Sequence, residues 1–170
     1  MNIKKYLVLG LFLLIAAAAS AQIKIPDTKI SFKFPDDGWK FLETTNVDKN
    51  TTIHLFCYSG RYVIDNVGDT TLPYMRIYVR KNYDGSVYDL AYQRFLTQPF
   101  QSLDEYMYDD GSFGYLGAYT SEDDDKDYEF RMIYVKDRTT IVEIRLETTR
   151  DNYEEFDSDF TAILNSIKKQ

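Results

Sequence analysis

The feature that most constrains the fold is a repeated alternation of apolar and polar residues. It is clearest in TTIVEIRLETT (residues 139–149), where the apolar Val142, Ile144 and Leu146 alternate with charged residues. Residues two apart point to the same face of a β-strand, so this pattern predicts a strand with one apolar and one polar face. Joined by short turns, such segments predict an antiparallel sheet. The same period recurs in ISFKF (30–34), TTIHLFCYS (51–59), YMRIYVR (74–80), FGYLGAYT (113–120) and YEFRMIYV (128–135).

Two segments change the period to about 3.6 residues, which predicts helices. The first begins at Ser86, with Asp89 three residues later as a capping pair, and ends before Pro99. The second begins at Asp151 and continues to the C-terminus. The order of strands, helix, strands, helix predicts an α+β fold, with an antiparallel β-sheet and flanking helices, one on each face or both on one.

The first 21 residues predict an export signal. Two lysines precede the apolar run YLVLGLFLLIAAAA (6–19), and ASA (19–21) supplies the small residues of a cleavage site. The run is too short for a membrane span, and Cys57 lies far beyond the cleavage site, so we expect no membrane anchor. Residues 22–170 have the length of one domain, which we expect in the periplasm or outside the cell.

The charge balance limits the classes of partner. The chain has 27 acidic and 20 basic residues and a formal net charge of −7, and removal of the two lysines of the predicted signal lowers it to −9. Such a charge repels phosphate backbones and anionic lipid surfaces, so we expect no nucleic-acid partner. A single cysteine forms no internal disulfide, so we expect Cys57 to be buried in a fold that its core holds together.

Two motifs resemble those of the PsbP/Mog1 superfamily. FKFPDDGWKF (32–41) is similar to the family's aromatic-Pro-x-x-Gly-Trp entry into its first hairpin, and FTAILNSI (160–167) resembles its terminal helix. The resemblance implies an α/β/α sandwich with Trp39 and Phe160 as core anchors. It also implies a turn at Gly38 that needs positive φ, and a Ser166 hydroxyl that bonds back along the helix.

The resemblance also implies a class of function. Members of the family include a lumenal accessory subunit of photosystem II, a nuclear regulator of a small GTPase and many secreted bacterial proteins, and they share binding to other proteins. An export signal and an acidic surface separate this chain from the first two roles. The family therefore implies a non-enzymatic accessory protein.

The residues that could support catalysis do not form a set. His54 and Cys57 are the sole residues of their kinds and lie three apart in a predicted strand, so their side chains point to opposite faces. The sequence has no Gly-x-Ser-x-Gly motif, which a hydrolase elbow requires. The acid pairs Asp36–Asp37 and Asp109–Asp110 each precede a glycine, which is typical of turns. We therefore expect no enzyme activity.

One acidic segment, SEDDDKDYEF (121–130), has two possible interpretations. Its acids alternate as oxygen ligands do in a calcium loop, but Tyr128 and Tyr134 stand where that loop has its glycine and its bidentate glutamate. It is either a solvated hairpin tip that discourages strand pairing between chains, or a calcium site of millimolar affinity. The candidate ligands are Asp123, Asp125, Asp127 and Glu129.

Aromatic residues are the other candidate for a binding site. The 15 tyrosines and 11 phenylalanines exceed what one sheet and two helices need, and alternation places Phe113, Tyr115 and Tyr119 on one face of a strand. An open face would bind a partner through these rings, whereas a covering helix would make it core. The leading interpretation is an exported, non-enzymatic accessory protein that engages a protein or envelope partner. The alternative is a calcium-responsive or carbohydrate-binding secreted module.

Overall fold

The computed structural model describes residues 22–60, 63–97, 100–107 and 112–170, and of Phe95, Leu103, Tyr106 and Met107 it describes the backbone only. The predicted export signal (1–21), Pro99 and the Asp109–Asp110 pair lie outside the described residues.

The elements follow the predicted order of strands, helix, strands, helix. A 3₁₀ turn, Arg150–Asn152, precedes the second helix. The helices are α1 (Val87–Thr97) and α2 (Tyr153–Asn165). The strands are β1 (Ile23–Lys24), β2 (Ile30–Phe32), β3 (Trp39–Asn46), β4 (Thr51–Tyr58), β5 (Val63–Ile64), β6 (Thr70–Thr71), β7 (Tyr74–Arg80), β8 (Phe100–Met107), β9 (Phe113–Thr120), β10 (Asp127–Asp137), β11 (Thr140–Thr149) and β12 (Lys168–Lys169).

A seven-stranded antiparallel sheet forms the centre of the described structure. Its strand order is β3, β4, β7, β11, β10, β9, β8, so β11 lies in the middle. A three-stranded sheet of β1, β2 and β12 and a short β5–β6 hairpin accompany it. The predicted tight turn between the two longest strands is confirmed, because Asp137 pairs with Thr140.

Each face of the large sheet carries one helix and one apolar cluster. α2 packs on the face of Val142, Ile144 and Leu146, where β2 of the small sheet joins the same cluster. α1 packs on the opposite face through Leu90 and Ala91. The predicted α+β fold is therefore confirmed, with one helix on each face rather than both on one.

The helix caps differ in how well the sequence predicted them. The capping pair at α1 is confirmed, because the amide of Asp89 donates to Ser86 Oγ and the amide of Ser86 donates to the Asp89 carboxylate, both at 3.0 Å. The predicted cap of α2 at Asp151 is wrong, because Asn152 precedes the helix and the Asp151 carboxylate accepts from the amide of Asn66. α2 also ends earlier than predicted, and Lys168 pairs in β12.

The chain start contains a strand that the pattern did not predict, and the first hairpin differs from the prediction. Residues 22–29 contain strand β1, which at two residues is too short for a periodic signal, and Ile25 is buried. β2 and β3 do not pair; they belong to different sheets. The chain turns a corner between them, where the rings of Phe34 and Trp39 stack with centroids 5.4 Å apart.

The family motifs act through packing. Trp39 and Phe160 are both core residues, as predicted. Ser166 Oγ donates to the carbonyl of Ile163 and accepts from the amide of Lys33, both at 2.7 Å, which fixes the end of α2 to the small sheet. Gly38, however, is not among the residues with positive φ. This position instead requires a residue without a side chain, because the Tyr58 ring occupies the adjacent space.

A substitution at Gly38 tests this requirement. A Cβ there would lie 2.2 Å from a ring carbon of Tyr58, whose ring packs against Trp39 and Phe156. We expect Gly38→Ala to lower the free energy of unfolding by about 1–3 kcal/mol in urea titrations, because the ring must move. In a Tyr58→Leu background the same substitution should cost less than half as much. An equal cost in both backgrounds would contradict the steric explanation.

The one histidine gives the stability a pH dependence. His54 is 8% exposed, and its Nδ1 lies 2.8 Å from the hydroxyl of Thr44. Burial lowers the pKa of His54, although the charge of Asp27 opposes this. Because the unfolded chain then binds the proton more readily than the folded one, stability falls as the pH drops through about 6.5. The thermal midpoint should therefore decrease between about pH 7.5 and about pH 5.5. A His54→Gln variant should lose most of that decrease, and an unchanged decrease would contradict the assignment.

Candidate functional site

The strand that carries the predicted aromatic site, β9, lies under α1. Phe113 and Tyr115 are each 5% exposed and share a cluster with Leu90 of α1. Tyr88 of α1 stacks on Phe113 with ring centroids 4.3 Å apart. Burial raises the pKa of Tyr115 to about 12. Two of the three predicted partner-binding residues therefore belong to the core, out of reach of a partner.

Tyr119, the third of these residues, lies half-buried near the end of β9. Its hydroxyl donates to Glu147 Oε2 at 3.1 Å, and its ring stacks on Tyr128 with centroids 5.5 Å apart. Burial raises the pKa of Tyr119, although the charge of Arg145 opposes this, so the phenol is neutral near pH 7. Unlike its two neighbours in the motif, Tyr119 lines an open pocket.

A row of buried charges on β11 supports this pocket. The side of β11 opposite the apolar residues carries Glu143, Arg145 and Glu147, exposed by only 0%, 5% and 1%. Arg94 of α1 donates to Glu143 at 2.6 Å, and Arg145 Nε lies 2.8 Å from Glu147. Buried charges persist when paired, and here positive and negative side chains alternate along one strand.

Aromatic rings complete the surroundings of these cations. The guanidinium of Arg145 lies 4.4 Å from the ring centroid of Phe130 and 4.8 Å from that of Tyr119. The guanidinium of Arg94 lies 4.7 Å from the centroid of Tyr78. Burial lowers the pKa of Arg145, but an arginine stays charged across the physiological range. Two tyrosines, Tyr78 and Tyr119, therefore contact these arginines.

Removal of Arg94 tests how strongly this row depends on its pairs. Arg94→Met leaves the fully buried Glu143 without its partner, so we expect a loss of about 3 kcal/mol in the free energy of unfolding. The double variant Arg94→Met/Glu143→Met should recover most of the loss in the same denaturant titration. Arg150→Met is the matched control, since its pairs with Asp127 and Glu129 are solvent-exposed, and it should cost much less. Equal losses for Arg94→Met and Arg150→Met would contradict the buried-pair account.

The pocket beside Tyr119 has a volume of about 450 Å³ and opens to solvent. Its floor contains the ion pair between Arg76 of β7 and Glu147 of β11. Aromatic rings and hydroxyl groups form its walls, and carboxylates form its rim. The walls include Tyr74, Thr97, Tyr119, Thr120 and Tyr128, and the rim includes Ser121, Glu122, Asp123 and Asp124.

The acidic segment forms the tip of the β9–β10 hairpin, as one of its two interpretations predicted. The amide of Ser121 donates to the carbonyl of Lys126 at 2.8 Å, and Asp125 adopts a φ of 56° within the turn. The Lys126 ammonium contacts Asp65 at 2.6 Å and Asp69 at 2.8 Å, which fastens the tip to the β5–β6 hairpin. The Lys126 hydrogen bond lowers the pKa of Asp65.

The four predicted calcium ligands do not converge in the described structure. Asp127 and Glu129 both contact Arg150, at 3.0 and 3.2 Å, while Asp123 and Asp125 are exposed at the tip. The hydrogen bond from Thr120 further lowers the pKa of Asp127. Within residues 22–170, apart from the gaps, no group of three His, Cys, Asp or Glu side chains is placed to hold a metal. Calcium binding stays a prediction.

His54 and Cys57 do not form a nucleophile–base pair. His54 pairs with Ile77 on the α2 face and Cys57 with Tyr74 on the opposite face, so the predicted separation is confirmed. Cys57 is buried as predicted, and burial raises the pKa of its thiol.

In the described part of the chain, no helix is long and apolar enough to cross a membrane.

Sequence reasoning predicted the two strands that supply the pocket floor but missed that their polar faces meet there and that the polar face of β11 is buried. YMRIYVR alternates Tyr74, Arg76 and Tyr78 on one face, and the polar side of TTIVEIRLETT alternates acid, base and acid. These strands are neighbours, with Tyr74 opposite Glu147 and Arg76 opposite Arg145. The available signal was that two strands carry charges of opposite sign on their polar faces. Each strand considered alone has one apolar and one polar face, which favours solvent exposure of the polar one.

Comparisons with known proteins define the fold. No family model and no curated protein matches the chain. Among solved structures, cyanobacterial PsbP (CyanoP) from Synechocystis aligns with a TM-score of 0.57 and 13% identity, over 91% of this chain and 95% of that chain. LpqN of Mycobacterium tuberculosis, which is involved in cell envelope biogenesis, aligns with a TM-score of 0.52 and 10% identity, over 87% and 88%.

These alignments cover nearly the whole chain at very low identity, so they establish the fold alone. The chain has a PsbP/Mog1-like fold, as its two short motifs predicted. Neither alignment identifies a partner or a binding residue for this chain.

Proposed function

We propose that this chain is an exported, non-enzymatic accessory protein that binds a basic segment of an envelope or exported protein in the Tyr119 pocket. The observation that carries the proposal is the combination of aromatic walls with a rim whose charge is not neutralised. Among the described residues, Glu122 and Asp123 have no ion pair, whereas the neighbouring Lys126 is already bound to Asp65 and Asp69.

The floor of the pocket supports a cationic rather than an anionic ligand. Arg76 is the one cationic side chain among the lining residues, and Glu147 pairs with it. The remaining charge at the opening is negative. A lysine or arginine side chain could place its charge near Glu122 and Asp123 and its stem or guanidinium plane against the rings of Tyr119 and Tyr128.

The size and shape of the pocket support recognition of a protein segment. About 450 Å³ is room for one or two side chains, and the wide opening leaves the rest of a partner on the surrounding surface. Aromatic residues and paired charges at the centre of a contact are common energetic anchors of protein interfaces. His54 and Cys57 lie on opposite faces of β4, which supports a binding role rather than catalysis.

The fold and the chain start support an accessory role outside the cytoplasm. PsbP and LpqN share the fold, and LpqN is involved in cell envelope biogenesis. The first 21 residues carry the pattern of an export signal. We therefore place the partner among exported or envelope proteins.

Fluorescence anisotropy with labelled decapeptides tests the proposal. A lysine- and arginine-containing peptide should bind, and a glutamate-containing peptide of equal length should not. Glu122→Gln/Asp123→Asn should weaken the basic peptide about fivefold, because two uncompensated carboxylates are lost while the shapes of their side chains are kept.

The matched control removes two exposed acids outside the pocket, with Glu43→Gln/Glu154→Gln. It should leave the affinity nearly unchanged. Equal weakening in both variants would indicate diffuse attraction to the acidic surface and would contradict the pocket. A parallel thermal-shift measurement with millimolar calcium tests the alternative, a calcium-responsive module. A rise in the thermal midpoint that Glu122→Gln/Asp123→Asn abolishes would favour calcium binding at the tip.

A further inference from the structure

Charge is distributed unevenly along the large sheet. β10 has 11 residues and so extends about 35 Å, from the acidic tip at Asp127 to the β10–β11 turn beyond Asp137. The turn end carries a second pocket, of about 480 Å³. Three of its lining residues are cations and three carry hydroxyl groups: Lys24, Lys29, Arg138, Thr28, Thr139 and Thr140.

Both acids of this second pocket are already engaged. Asp27 contacts the ammonium of Lys81 at 2.6 Å, and that hydrogen bond lowers the pKa of Asp27. Asp137 lies 3.9 Å from the ammonium of Lys169 and accepts from the amide of Lys29 at 3.4 Å. Two further cations therefore neutralise the two acids.

The three lining cations remain available to a ligand. Among the residues that the structure describes, the side chains of Lys24, Lys29 and Arg138 have no ion pair. In a chain of net charge −7, this leaves a local surplus of positive charge at one end of the sheet. Such a surplus attracts anions locally even though the whole molecule is acidic.

Hydrogen-bonded turns hold these cations in place. The carbonyl of Thr139 accepts from the amide of Tyr83 at 2.8 Å, next to Arg138, whose φ is 57°. Beside Lys29, the buried hydroxyl of Thr28 donates to the carbonyl of Ile25 at 2.9 Å. The cationic side chains therefore extend from well-fixed backbone, which lowers the entropy lost on binding.

We infer that this pocket, independently of the Tyr119 pocket, binds a phosphate group. A guanidinium offers two parallel donors to a tetrahedral oxyanion, two ammonium groups add charge, and the hydroxyls of Thr139 and Thr140 can donate to the remaining oxygens. The phosphate could belong to a soluble compound or to the headgroup of an anionic lipid. Both present the same oxygens to the pocket.

Titration with inorganic phosphate at constant ionic strength tests the site, with the backbone amides of Arg138 and Thr139 followed by NMR. We expect saturable shifts, and Lys29→Gln/Arg138→Gln should weaken the affinity about tenfold. Lys33→Gln/Lys40→Gln is the matched control, since it removes two exposed cations outside the pocket. Absence of saturable shifts, or equal weakening in the control, would overturn the inference.

Vesicle sedimentation separates the two sources of phosphate. Vesicles of phosphatidylcholine with phosphatidylglycerol are compared with vesicles of phosphatidylcholine alone. Binding to the former that requires Lys29 and Arg138, and that inorganic phosphate competes away, would identify a lipid headgroup. Binding of inorganic phosphate without vesicle binding would identify a soluble phosphate compound. Failure of both would overturn the site without affecting the peptide experiment, which uses other residues.

Discussion

The structure depends on β11, the middle strand of the large sheet, which is buried on both faces. One face places Val142, Ile144 and Leu146 against α2. The other buries a row of charges, which burial alone would disfavour by several kcal/mol per ion. Arginines from α1 and β7, together with tyrosine and phenylalanine rings, offset that penalty. The position of α1 and the floor of the Tyr119 pocket both follow from this row.

Local patterns in the sequence were sufficient for most of the fold. Alternation predicted β4, β7, β9, β10 and β11, and a Ser86–Asp89 capping pair predicted the start of α1. Two short motifs predicted the PsbP/Mog1-like arrangement. Each of these signals is local, so each can be read without knowledge of which elements become neighbours.

Most of the misses have a common physical cause, because they depend on contacts between distant segments. The polar face of β11 indicated solvent, yet Arg94, 49 residues before Glu143, covers it. Gly38 suggested a special φ, yet its requirement is room for the Tyr58 ring. The aromatic face of β9 predicted a binding surface, yet α1 covers Phe113 and Tyr115 and leaves Tyr119 at the pocket. Binding residues thus remained the least predictable part.

The net charge also concealed an uneven distribution of charge along the large sheet. The acids of the β9–β10 tip and the cations of the β10–β11 turn lie at opposite ends of one strand. The formal net charge of −7 therefore describes neither end of the strand. With opposite local charges about 35 Å apart, one small protein could hold a basic segment at one end and a phosphate group at the other.

Tyrosine nitration read out by mass spectrometry, with and without the basic peptide, tests both the position of α1 and the Tyr119 pocket. Tyr88 and Tyr92 should react in both states, and Tyr115 and Tyr134 should stay protected in both, because α1 covers the sheet. Tyr74, Tyr119 and Tyr128 should react in the free protein and become protected when the peptide binds. Nitration of Tyr115 in the folded protein would contradict the position of α1, and unchanged reactivity of the pocket tyrosines would contradict the binding site.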